Sequence, residues 1–430
     1  LIKLINMITR PLEAPPAAPY LSAREAAAEL GVSLPTLYAY VSRGLVRSEP
    51  VPGERARRYR AEDVRALRER RAPPTDGGSA VPARAGSALS FSTPVLSSAI
   101  TLIADGELYY RGVNAAELAQ HAALETAAGI LWQTADYDAF APDNLPAVSA
   151  ALRTVIDAMD ASHPIDRCIA ALAVAGEADD AAFNKTDRGL ARTAARITRL
   201  LAALVGKREA CALPVHVQLG EAWGLDAAGA DLVRMALVLL ADHELNASTF
   251  TLRCAVSTDA NLYDGTIAAL AALKGPQHGG ATTRAERQLE KLLDGDPIRC
   301  VREQAEAGER FAGFGHPLYR QGDPRAKALL AALEARTGDT VVTRDVPAAV
   351  QEIVGVLPNV DYALAAVAHV LGLPRLAGIS LFAVGRSIGW AAHAREQLRE
   401  HALIRPRAIY SGPAPSRRAK TENPDGTVTA

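Results

Sequence analysis

"ADHELNASTFTLRCAVSTDANLYDGTIAALAALKGPQHGGA", residues 241–281, sets one histidine near each end of a long, largely apolar segment. His243 falls where an alanine- and leucine-rich run gives way to DHELN. His278 falls in KGPQHGGA, a glycine-rich break where backbone can approach a ligand closely. Outward from this segment, apolar residues recur at three and four in "RGLARTAARITRLLAALVG" (188–206), "DAAGADLVRMALVLLADHELNA" (226–247) and "SLFAVGRSIGWAAHAREQLREHAL" (380–403). The body of the chain is therefore expected to be mainly α-helical. Strand signals are confined to "SALSFSTPVLSSAITLIADGELYYRG" (87–112), where Asp105-Gly106 supplies a hairpin turn.

A second unusual stretch is "FAGFGHPLYRQGDPRAKALL" (311–330), which sets His316 between flexible glycine-rich turns and follows it with Arg320 and Arg325. A histidine of ordinary pKa, about 6.5, can polarise or protonate a carbonyl oxygen, and an arginine fork can hold a carboxylate bidentately. The pattern suits capture of a small, multiply charged anion. Asp361, in LPNVD at a helix start, can serve as N-cap or as base. Each residue has a plainer reading: His243 as a hydrogen-bonded core group, His278 as a loop histidine, His316 as a capped loop histidine, Asp361 as a cap.

Taken together, these stretches resemble the citrate synthase family, from about residue 90 to residue 413. The 241–281 segment is similar to the family's stretch with two active-site histidines. "GFGHPLYRQGDPRAKAL" is similar to the stretch with its third histidine and a substrate arginine, and LPNVD to the one with its catalytic aspartate. "LFAVGRSIGWAAHAREQ", "RPRAIYSG" and the "YRG" of 110–112 follow the family's order. The resemblance implies a two-domain helical body, with a small domain at about 279–385 closing over the substrates, and a homodimer. It also implies condensation of acetyl-CoA, or propionyl-CoA, with oxaloacetate, giving citrate or 2-methylcitrate and free CoA. In that scheme Asp361 is the base, His278 the donor to the enol and His316 the group that polarises the ketone. His243, Arg325, Arg386 and Arg405 contact oxaloacetate, with Arg405 reaching in from the neighbouring subunit, and Arg320 lies near the CoA phosphates. No metal or other cofactor is implied. Where many members read HGGAN, this chain has "HGGATTRAE", so Thr282 and Thr283 stand where local CoA contacts are expected to differ, and Gln277 replaces a commoner leucine.

Residues 19–72 have a different character, with eleven arginines against seven acids and no lysine. Ala26, Leu30, Leu37 and Val41 are spaced for two short helices, Gly31 breaks the first, and Ser33 can cap the second with Pro35 in its opening turn. A Pro52-Gly53 turn, a basic wing RARRYR and a helix from Asp63 complete a pattern that resembles the winged helix-turn-helix of the MerR and excisionase group. DNA is a candidate partner for this module. A metabolite-responsive regulator is the rival to the enzyme, but it would be expected to show decay at Asp361, His278 or Arg325, and all three are present.

The remaining segments are read as a leader (1–18, with Met7 a candidate start), a Pro/Gly/Ala/Ser-rich linker (73–89) and a mobile tail (414–430). The net charge of −1 over 430 residues makes no global demand for nucleic acid or a membrane surface, and no apolar run reaches a span's length of about 18 residues. Four widely spaced cysteines without a CxxC pair read as reduced core thiols, and the chain is expected to be cytoplasmic.

Overall fold

The computed structural model describes residues 20–30, 34–42, 46–50, 57–61, 63–64, 67, 96–408, 410 and 412. The proposed leader, linker and tail lie outside these residues, as do Gly31, Ser33 and the Pro52-Gly53 turn. The chain divides into two compact units, Leu1–Ser90 and Phe91–Ala430.

In the N-terminal unit, β1 (Tyr20–Leu21) leads into α1 (Ala23–Leu30), followed by α2 (Leu34–Ser42), β2 (Ser48–Pro50) and β3 (Arg57–Arg60). The order β1-β3-β2 is antiparallel throughout. Helix α1 opens with a reciprocal cap: the Ser22 N–H donates to the Glu25 carboxylate at 2.8 Å, and the Glu25 N–H donates to Ser22 Oγ at 3.3 Å. Ala26, Leu30 and Leu37 meet Val46, Tyr59, Val64 and Leu67 in a small core against which Val41 packs, as the spacing predicts. Arg47 donates to the Asp63 carboxylate from its backbone N–H at 2.8 Å and from its guanidinium at 2.8 and 2.7 Å.

The larger unit begins with an antiparallel three-stranded sheet, β4 (Thr101–Ala104), β5 (Glu107–Tyr110) and β6 (Val113–Asn114). Asp105 and Gly106 both have positive φ (53° and 81°), as a two-residue hairpin turn requires. Helices follow: α3 (Ala115–His121), α4 (Leu124–Trp132), α5 (Ala150–Ala158), α6 (Pro164–Glu177), α7 (Asp187–Gly206), α8 (Val215–Ala222), α9 (Ala227–Leu240) and α10 (Ala247–Val256). Then come α11 (Leu262–Leu273), α12 (Gly280–Leu293), α13 (Pro297–Glu306), α14 (Pro324–Thr337), α15 (Val346–Val354), α16 (Val360–Val370) and α17 (Ala377–Glu400). One apolar core runs through this unit from Ile100 to Ala394. No described helix is long and apolar enough to cross a membrane.

The periodic run 226–247 is not one helix. It stops at Leu240, Glu244 takes a left-handed φ of 53°, and Asn246 caps α10 by accepting the Thr249 N–H. The break is enforced from outside by α17. A Cβ on Gly385 would lie 2.8 Å from the Leu237 carbonyl, and one on Gly389 would lie 2.2 Å from Asp242 Oδ1. Two glycines four residues apart thus let α17 press its backbone onto the segment that delivers His243, and the Gly389 N–H donates to the Ala241 carbonyl at 2.9 Å.

Candidate active site

His316 and Asp361 are 45 residues apart in sequence, and a short backbone stitch brings their segments together. Phe314 and Pro358 form an isolated antiparallel bridge. The Gly315 N–H donates to the Leu357 carbonyl at 2.8 Å, and the Asn359 N–H to the Gly313 carbonyl at 2.9 Å. Asn359 Nδ2 adds a bond of 2.9 Å to the Gly315 carbonyl. Gly313 and Gly315 have φ of 85° and 76°, and a Cβ on Gly313 would strike Tyr362. These glycines are therefore fixed parts of a tight junction rather than the flexible turns the sequence suggests. Those around His278 are equally constrained: a Cβ on Gly280 would lie 2.7 Å from the Lys274 carbonyl.

The three histidines gather on one side. The rings of His243 and His316 are 5.4 Å apart, edge to face, and His243 Nε2 is 2.9 Å from Tyr319 Oη. His316 Nδ1 accepts the Leu318 N–H at 3.2 Å, which leaves Nε2 as the protonated, donating nitrogen. His278 Nε2 lies 2.8 Å from Ser248 Oγ, which also accepts the Trp390 indole N–H at 3.2 Å. Ser248 Oγ also donates to Asn246 Oδ1 at 2.8 Å; in the alternative arrangement, where its single proton turns to His278 Nε2, the ring's remaining donor is Nδ1–H. Burial, helped by Arg386, lowers the pKa of His278 to about 4; burial and Arg325 do the same for His316, also to about 4. Burial, then Arg325 and Arg386, holds His243 well below the ordinary range. All three rings are neutral donors or acceptors at pH 7.

Two buried arginines face them. Arg325 is 3% exposed and forms a fork to Asp323, Nε to Oδ1 at 2.9 Å and Nη2 to Oδ2 at 2.8 Å, while Nη1 is left over. Asp323 also caps α14 and accepts the Val360 N–H at 3.0 Å, tying the arginine to the start of α16. Arg386 is 1% exposed; its Nε donates to the Leu240 carbonyl at 2.8 Å, and its Nη2 is buried with no partner among the described residues. Burial lowers its pKa to about 10, so it stays charged at neutral pH. A buried guanidinium nitrogen without an acceptor is costly unless an anion meets it.

Asp361 is not the helix cap. Asn359 caps α16 by accepting the Asp361 and Tyr362 N–H groups, which leaves the Asp361 carboxylate free to accept the Thr282 hydroxyl at 2.7 Å. Burial raises its pKa to about 6, against the downward pull of the Thr282 bond and the Arg325 charge. A carboxyl so tuned is ionised at neutral pH and still basic.

Arg320 is exposed and shares a cavity of about 160 Å³ with His316, Tyr319 and residues 355–358. Arg405 is exposed, with no hydrogen-bond or ion-pair partner among the described residues, and follows Ile404, whose N–H donates to Ser257 Oγ at 3.1 Å. Sequence reasoning missed Asp323, Ser248, Tyr319 and Asn359. Asp-Pro before Arg325 and Asn before Val-Asp are both helix-start signatures and carried a signal; Ser248 and Tyr319 carried none.

Neutral histidines, a carboxyl raised to about 6 and two buried arginines thus lie inside one helical body, a set of acid–base and anion-binding groups. Residues 90–407 match the family model "Citrate synthase, C-terminal domain", so the chain belongs to the citrate synthase family; residues 20–72 match a "Helix-turn-helix domain". Citrate synthase 2 of Bacillus subtilis is 42% identical over 185 residues, 41% of this chain and 50% of that protein. The 2-methylcitrate synthase of Mycobacterium tuberculosis is 29% identical over 343 residues, 71% of this chain and 84% of that one. Thus the chain spans about half the length of the first curated relatives it matches, and more of the second kind. Among solved structures, citrate synthase from Thermotoga maritima superposes with a TM-score of 0.65 at 27% identity, covering 77% of this chain and 97% of that one. A ternary complex of carboxymethyl coenzyme A and oxaloacetate with the Thermoplasma acidophilum enzyme gives 0.64 at 25%, with the same coverage.

Proposed function

We propose that this chain condenses a short acyl-CoA, acetyl-CoA or propionyl-CoA, with oxaloacetate, releasing citrate or 2-methylcitrate and free CoA. The observation that carries the reading is Arg386 Nη2, buried and without a partner among the described residues, together with the Arg325 Nη1 that the fork to Asp323 leaves over: two cationic donors for a dicarboxylate. Asp361 removes a proton from the carbon next to the thioester carbonyl, and His278 Nδ1–H stabilises the enol oxygen that forms. The enol carbon then attacks the oxaloacetate ketone, whose oxygen takes a hydrogen bond from His316 Nε2–H, with His243 alongside. Water cleaves the thioester and CoA leaves. Residues 279–385 would close as the small domain and keep water from the enol. Arg320 fits a CoA phosphate at its cavity. Arg405 fits a role in the second site of a homodimer, because it is exposed and unpaired among the described residues.

The test is thiol release with purified protein, oxaloacetate and each acyl-CoA. Release should need both substrates. Asp361→Asn should lower kcat at least about 100-fold, in the range for removing a general base. Arg325→Leu should raise the oxaloacetate concentration needed for half-maximal rate and leave that for acyl-CoA nearly unchanged. Undiminished turnover by Asp361→Asn would remove Asp361 from the mechanism. One methylene is worth about 1–3 kcal/mol in an apolar pocket, so the acetyl-to-propionyl rate ratio reads the acyl preference directly.

For the N-terminal unit we propose contact with duplex DNA through α2, where Tyr38 is half exposed. The wing offers less than its charge suggests. Arg57 is bonded to Ser48, and Arg58 is paired with Glu49 and lies over the Tyr20 ring. The regulator reading of the whole chain is not favoured, since the acid–base and anion-binding groups are all in place.

A further inference from the structure

Thr282 sits third in α12, is fully buried, and commits its hydroxyl proton to Asp361 Oδ1 at 2.7 Å. Its side chain is aimed by α17. A Cβ on Gly378, the second residue of that helix, would lie 2.3 Å from Thr282 Cγ2, so the threonine methyl occupies the place a side chain at 378 would take. One turn further along α12, Glu286 Oε1 accepts the Gly378 N–H at 3.3 Å, so the same two helices meet twice. A β-branched side chain has few χ1 choices. With its methyl seated over Gly378, Thr282 has one well that points the hydroxyl at the carboxylate.

We infer that Thr282 is the positioning residue for the base: seated by Gly378, it engages one oxygen of Asp361 and leaves the other to take the substrate proton. The inference rests on the reading of Asp361 as base. A hydroxyl that donates to the ionised carboxylate favours that form, so it holds the midpoint of Asp361 below where burial alone would set it.

The experiment follows the Asp361 carboxyl by ¹³C NMR across pH in the ligand-free full-length protein, with the pH profile of kcat beside it. Thr282→Val, nearly isosteric, should move the NMR midpoint up by about 1 pH unit, as expected for loss of one hydrogen bond to the charged form. The acid limb of kcat should move with it, giving a loss of about fivefold at pH 6 and about twofold at pH 7 from ionisation alone. Thr282→Ser should bring the midpoint back toward wild type. Gly378→Ala keeps the hydroxyl but claims the methyl's place, so it should also raise the midpoint, and it carries the test if Thr282→Val does not fold. An Asp361 midpoint unchanged in the variant measured overturns the inference. If the midpoint moves as expected but wild-type protein releases no CoA, the condensation reading falls and the Thr282–Asp361 coupling stands.

Discussion

A carboxyl that titrates near 6 inside a folded chain is one whose ionised form the fold resists. Asp361 has an unfolded pKa of about 3.9 and a folded value of about 6, so the native state binds its proton more tightly than the unfolded state does. Stability is then lost as pH rises from about 4 to about 6 and stays at that lower level above. Asp361→Asn carries no such cost. Urea unfolding should find it about 2 to 3 kcal/mol more stable than wild type at pH 7.5, and level with it near pH 4. Equal stability at both pH values would mean an ordinary, solvated carboxyl. His278 and His316 were legible in the sequence because glycine-rich surroundings are unusual for a histidine, and His243 because an apolar run ends on it. The groups that set their chemistry were not. Ser248, the partner of His278 Nε2, is a serine in the first turn of α10, where serine is commonplace, and only the fold brings it within 2.8 Å of a residue 30 positions on.

Among the helices, the contact that matters most to the site is the approach of α17 to residues 237–242. It depends on Gly385 and Gly389, since their missing side chains let Arg386, buried between them, lie close to the turn that carries His243. Gly389→Ala would set a methyl 2.2 Å from Asp242 Oδ1 and 2.4 Å from the Ala241 carbonyl, where backbone has to yield. We expect a loss of at least about 3 kcal/mol in chemical denaturation, at the upper end for overpacking, with binding of oxaloacetate, the proposed substrate, weakened as well. A small change in both would show that the segment adapts. Periodicity revealed α7 and α17 nearly to their ends and the hairpin to the residue. The end of the apolar run at DHELN was legible, but not the contact that fixes the break, which lies about 145 residues away in α17. The Phe314–Pro358 stitch escaped because two residues of bridge leave no alternation to read.

The whole chain holds two units with separate cores, and every residue assigned to chemistry lies in the second. Protein lacking residues 1–90 should therefore retain condensation activity within about twofold while losing any binding of full-length protein to duplex DNA. Thiol release and a selection on random duplex at moderate salt, run on both proteins, make the comparison. If activity collapses on truncation and neither protein enriches a duplex, the N-terminal unit is an extension of the enzyme and the DNA reading is lost. The stitch that joins Gly313–Gly315 to residues 357–359 also gives the catalytic unit a topological property. Residues 316–356 form a loop tied shut at its neck, with His316 at one side of the knot and Asp361 just beyond the other. The far turn of that loop, at Gly338, has φ of 72° and open space around it. Lengthening or shortening the chain there changes the circumference of the loop and not its neck, so evolution or an engineer can rewrite that turn while the spacing of His316 and Asp361 stays as it was.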